Sequence, residues 1–89
     1  MAQPINDLFE RARLEAGLTH GELWFRYFQL GGMRTGFEIE AFCHGALVPS
    51  DLDHDIVAHA LNERLFELGG RRPVAYSDQH RESTDESPD

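Results

Sequence analysis

In THGELWFRYFQLGG, residues 19–32, the polar positions Glu22, Arg26 and Gln29 recur every three or four residues, and nearly all the rest is apolar. At about 100° per residue these three fall on one narrow strip of a helix. Leu23, Trp24, Phe25, Tyr27, Phe28 and Leu30 cover the remainder of its circumference. A surface helix needs an apolar stripe of only about 100°. A helix apolar most of the way round either sits at the centre of its fold or gives part of its surface to another molecule. Both readings stay open on spacing alone.

The same periodicity predicts four helices, at about 4–16, 20–31, 36–44 and 51–68. Thr19 and Glu22 form the Thr-x-x-Glu of a capping box, with Leu18 and Leu23 placed as a hydrophobic staple. Thr35 and Glu38 repeat the box, and Ser50-Asp51-Leu52-Asp53 is a weaker copy. Gly17, Gly31-Gly32, Gly45 and Gly69-Gly70 are the matching stops. Helix 1 opens on Pro4 and places Ile5, Leu8, Phe9, Ala12 and Ala16 on one face. In helix 4, Val57, Ala58, Leu61, Leu65 and Leu68 make one apolar stripe. Leu52, Ile56 and Phe66 make a second, and Asp51, Asp55 and Asn62 lie between the two. The run RRPVAY reads as an extended arm that lays Val74 and Tyr76 against the helices. No strand-like alternation of useful length occurs. The expected fold is all-α, a compact bundle of four short helices in one domain, residues 1–76.

Residues 77–89, SDQHRESTDESPD, have the composition of a disordered acidic tail. Sixteen acids against eight bases give a formal charge of −8, and five acids and one base of these lie in the tail. Every base is arginine, which fits a GC-rich, bacterial coding sequence. A single cysteine, Cys43, rules out an internal disulfide. The chain shows no membrane-length apolar run and no secretory leader, so a cytoplasmic protein is expected. About 75 residues build a marginal core, a size at which oligomerisation often helps. A helix with two apolar stripes points the same way, to a homodimer through helix 4 or helix 2.

Little in the chain suggests catalysis. Asp51, Asp55 and His59 share a face at i, i+4 and i+8, a spacing able to hold a metal, but no second histidine completes an HExxH pair. An Asp55–His59 ion pair is the simpler expectation. Cys43 and His44 are adjacent on a helix and so point about 100° apart, which excludes a nucleophile–base pair. Cys43 reads as a core residue. No catalytic residue, metal site or cofactor is expected, and a metal-dependent enzyme is the least favoured reading.

The run ARLEAGLTHGELWFRYFQLGG resembles the opening of Cro/repressor-type (Xre-like) helix-turn-helix domains. There a first helix ends at a short AGL-like turn, and a Thr or Ser caps a second helix containing Glu-Leu. Ala16-Gly17-Leu18-Thr19 and Glu22-Leu23 carry the likeness, which spans residues 8 to 65. It places MRTGFEIEAFCHG at the recognition helix and VPSDLDHDIVAHALNERL at the helices that follow. The resemblance implies a helical transcriptional regulator. Helix 2 is longer than the family pattern, and Gly31-Gly32-Met33 alters the turn. The recognition-helix equivalent carries Glu38 and Glu40, with no Arg, Asn or Gln after Arg34. Base readout in the major groove uses donors of those kinds, and carboxylates there meet phosphate repulsion.

The expectation that results is a small acidic interaction module in bacterial regulation, binding a protein such as a transcription factor or polymerase component. Its contact residues are Trp24, Phe25 and Phe28 on helix 2 and Leu52, Ile56 and Phe66 on helix 4, the acidic balance favouring a basic partner. The alternative is a degenerate helix-turn-helix DNA binder that meets phosphate through Arg26, Arg34, Arg71 and Arg72.

Overall fold

Three of the four helices begin at the capping residue their sequence marks, and all four close on a left-handed glycine. A computed structural model describes residues 7–70 and 74–75. Its helices are α1 (Asp7–Ala16), α2 (His20–Gln29), α3 (Gly36–His44) and α4 (Asp51–Glu67), and no strand occurs among the described residues. The expected first residues of helix 1, the partner Tyr76 of the arm, and the whole tail lie outside the described residues.

The two Thr-x-x-Glu boxes form as read. Glu22 N donates to Thr19 Oγ1 at 3.0 Å while Thr19 N donates to Glu22 Oε1 at 2.8 Å. Around Thr35 the matching distances are 3.1 and 2.9 Å. Each box satisfies two backbone donors that a bare helix start leaves orphaned. The third start departs from the pattern. Ser50 Oγ accepts from Asp53 N at 3.1 Å, but the Asp53 carboxylate reaches across to α2 and the turn after it.

Gly17, Gly31, Gly45 and Gly69 all have φ between 68 and 100°. Each is followed by a residue whose N–H bonds a carbonyl five residues back: Leu18 to Arg13, Gly32 to Tyr27, Ala46 to Ala41, and Gly70 to Leu65. These are four Schellman closures, and the first three set the turns from which the next helix departs.

α1 packs on α3 and α4, and α2 packs on α3 and α4. Phe9, Ala12 and Ala16 of α1 enter the core with Leu18, as do Ile39, Phe42 and Cys43 of α3. α4 contributes Val57, Ala58, Ala60, Leu61 and Leu65. Leu68, expected on that buried stripe, caps the last turn and is half-exposed. Ala60, not expected inside, is fully buried. Val74 of the arm is buried as expected. Asn62 holds it there, accepting from Val74 N and donating to Val74 O, while His54 Nε2 lies 2.9 Å from Ala75 O.

Candidate functional site

α2 divides its five large apolar residues between two duties. Leu23 and Tyr27, at i and i+4, point inward and are fully buried. Together with the side of Trp24 that packs against the core, they make the inner face of the helix. Trp24, one position round, is half-buried. Its indole Nε1–H donates to Arg34 O at 2.9 Å, and its ring lies over Gly36, where an added Cβ would stand 3.6 Å from Cγ. From there the aromatic surface continues outward. Phe28 stacks on Trp24 with centroids 5.2 Å apart and planes at 24°, and the Phe25 ring is tilted to Trp24 with centroids 6.5 Å apart. Phe25 is 52 % and Phe28 54 % exposed.

Beside Phe25, an open groove runs between α2 and α4. Arg26, Glu63, Arg64 and Glu67 line it. Arg26 forks onto Glu67 at 3.1 and 3.3 Å, and Arg64 donates to Ala16 O and to Glu67. The Arg26 hydrogen bond, with help from Arg64, holds the Glu67 carboxyl below the usual range. The rim of the aromatic patch is thus charged but internally paired.

The structure brings Trp24, Phe25 and Phe28 together. It does not join the three helix 4 candidates to them as one surface. Ile56 turns to the core and packs against it. Leu52 and Phe66 are 68 % and 80 % exposed, yet fourteen residues of helix separate them by ~21 Å. They stand at opposite ends of α4, so the second stripe is two isolated exposed residues around a core residue. α3 turns Phe37, Glu40 and His44 to solvent. Arg26 is paired with Glu67, and Arg34 with Asp53 and Glu38. Arg71 and Arg72 lie outside the described residues.

Sequence reasoning missed a polar network beneath the patch. Tyr27 OH donates to Asp53 Oδ1 at 2.8 Å and accepts from Arg34 N at 2.9 Å. Arg34 Nε and Ser50 Oγ donate to Asp53 Oδ2 at 3.0 and 3.1 Å. Burial pushes the Asp53 carboxyl up, but these hydrogen bonds outweigh it and leave the pKa lowered. Tyr27 goes the other way, raised mainly by its own burial. Tyr27 and Arg34 lie 26 and 19 residues before Asp53 in sequence, so no local spacing joins them to it. Serine three residues before aspartate was the one signal, and it reads equally well as a simple cap.

A second polar group ties α1 to α2. Arg13 donates twice to Glu10 and once to Leu18 O at 2.6 Å, and His20 Nε2 lies 3.1 Å from Glu10 Oε1. The Arg13 hydrogen bonds hold Glu10 at about 2, down from 4.5. A carboxylate depressed on folding adds stability that is present above its unfolded pKa and is lost as pH falls through the folded one. Acid titration of the wild type should therefore show a loss between about pH 4.5 and 2. That loss should shrink in Glu10→Gln when urea midpoints are compared at each pH.

Cys43 is buried, as expected of a core residue, and burial first of all pushes its thiol up to about 12. His44 next to it is exposed, 3.8 Å from Glu40, so the two do not form a reacting pair. His59 Nε2 lies 3.6 Å from Glu63 Oε2. No helix among the described residues is long and apolar enough to cross a membrane. Compared with protein-family models, curated proteins and solved structures, the chain matches none.

Proposed function

We propose that this chain is a small acidic protein-interaction module that seats a protein partner on the outward aromatic face of α2. The observation that carries this reading is the surplus on that helix. Leu23, Tyr27 and the packed side of Trp24 make its inner face, yet Phe25 and Phe28 remain about half-exposed in ring contact with Trp24. Leaving two phenyl rings half in water forgoes roughly 1–2 kcal/mol of burial for each. Clustered aromatics flanked by paired charge are the composition of binding hot spots. The formal charge of −8 steers the module to a basic partner. A transcription factor or polymerase component of a bacterial cell fits that chemistry, and so does a chain that also pairs with its own copy.

Phe25→Ala and Phe28→Ala are the clean variants, because neither ring is needed for the inner face. Each should weaken partner binding by about 2 kcal/mol, roughly thirtyfold. Circular dichroism and the melting midpoint should stay close to wild type. Trp24 is the poorer test, since its N–H and ring also fix the turn at Arg34 and Gly36. Full partner retention by folded Phe25→Ala and Phe28→Ala proteins would remove the basis of the proposal.

A further inference from the structure

Packing of α2 against α3 brings the first residue of α2 to the last turn of α3, and three ligand-type side chains meet there. Glu40 and His44 are one helical turn apart on α3, the i, i+4 spacing by which helices present two metal ligands. His20 comes to them from α2, its ring centroid 5.1 Å from that of His44. One donor atom from each of His20, Glu40 and His44 lies within 4.8 Å of the other two. We propose that His20, Glu40 and His44 form a binding site for a divalent transition cation of the Zn2+ class.

The distances fit that size of ion after a small adjustment. Nitrogen and oxygen ligands at about 2.0–2.1 Å in tetrahedral array stand ~3.3 Å from one another. The three groups must close by about an ångström or so, and they can. Glu40 and His44 have side chains about half-exposed and 3.8 Å apart, so rotamer changes suffice. His20 is more firmly placed. Glu10 holds its Nε2 at 3.1 Å, and the ring makes no other hydrogen bond to a described residue. A carboxylate that orients a histidine through its second ring nitrogen is the usual support behind a metal ligand. Glu10 is in turn fixed by Arg13, whose charge it cancels. The remaining charge at the site is the Glu40 carboxylate, which favours a cation.

Two imidazoles and one carboxylate suit Zn2+ and its neighbours, not Mg2+ or Ca2+, which prefer all-oxygen shells. Three protein ligands leave a fourth position open. Cys43 Sγ also lies within 4.8 Å of donor atoms of Glu10 and His20. It is buried and gathers in no such group with Glu40 or His44, so the site is a nitrogen–oxygen one. The site is distinct from the Asp51, Asp55 and His59 line of α4, which does not gather its donor atoms to this distance.

Calorimetric titration of the full chain with Zn2+ tests the assignment. One ion per wild-type chain is expected. His44→Ala and His20→Ala should each weaken binding about tenfold or more, while His59→Ala, which removes an exposed histidine beside Glu63, should leave it unchanged. His44 is exposed, so its variant keeps the fold, which circular dichroism verifies. No saturable heat from the wild type would overturn the proposal. Equal affinity in the two ligand variants, or an equal loss in His59→Ala, would do the same. Co2+ should give visible ligand-field bands without an intense sulfur-to-metal transition. An intense sulfur band would contradict the ligand set.

Discussion

Gly32→Ala should destabilise the fold by about 3 kcal/mol or more, the upper end of what overpacking costs. A methyl at this position would stand 2.2 Å from Cε2 and Cζ of Tyr27 and 2.5 Å from Cε1. Ordinary contact needs well over an ångström more. The ring has no way out. It is fully buried, and its hydroxyl is pinned between Asp53 Oδ1 and Arg34 N. Moving it would break two hydrogen bonds, and moving Gly32 would break the Gly32 N–Tyr27 O bond that closes α2. Gly21→Ala is the internal control. A Cβ there meets only Thr19 Oγ1 at 3.9 Å, so the change should stabilise α2 by about 0.5–1 kcal/mol through helix propensity. Urea unfolding of the two variants should move in opposite directions.

The second large effect is expected at Asp53. Its carboxylate receives Tyr27 OH, Arg34 Nε and Ser50 Oγ, and so joins α2, the turn after it and the start of α4. Asp53→Ala leaves a buried tyrosine hydroxyl without its acceptor and deprives Arg34 of its best-placed counterion. Hydrogen bonds to a charged group contribute about 1.5–3 kcal/mol, so a loss of about 3 kcal/mol is expected. Arg34 is 48 % exposed and re-solvates, which keeps the cost below that of breaking a wholly buried pair. Tyr27→Phe should cost less, about 1–2 kcal/mol. A double-mutant cycle between the two should return a coupling near 1 kcal/mol or more. Simple additivity would mean that the Tyr27–Asp53 hydrogen bond contributes nothing.

What could be read without coordinates follows from the range of the forces involved. Thr19 with Glu22, and Thr35 with Glu38, satisfy each other across three residues, so sequence alone displays them. The left-handed glycines are local in the same sense. Helix starts and stops were therefore legible to within a residue or two over the described part of the chain. Which side of α2 faces inward was not. Leu23 and Tyr27 share a face at i, i+4, but Trp24 with Phe28 does too, and both pairs are large and apolar. Only the arrival of Gly32, Arg34 and Asp53 around the Tyr27 ring decides between them. On α4 the difficulty was similar. Ile56 and Phe66 share a stripe on a helical wheel, and only tertiary packing covers one and leaves the other in solvent. The His20, Glu40 and His44 cluster draws on two helices with no motif linking them, so ligand spacing along a single helix does not display it.

The division of α2 into an inner face for the fold and an outer face for a companion is tested most directly by cross-linking at Phe25. A photoreactive benzoyl-phenylalanine placed at that position, and at exposed Leu14 of α1 as a control, would be irradiated in the cells that make the protein. Covalent adducts of defined mass at position 25, either twice the chain or chain plus another protein, and few or none at 14, are the predicted outcome. A lone uncoupled chain at position 25, or the same faint smear at both sites, would contradict it.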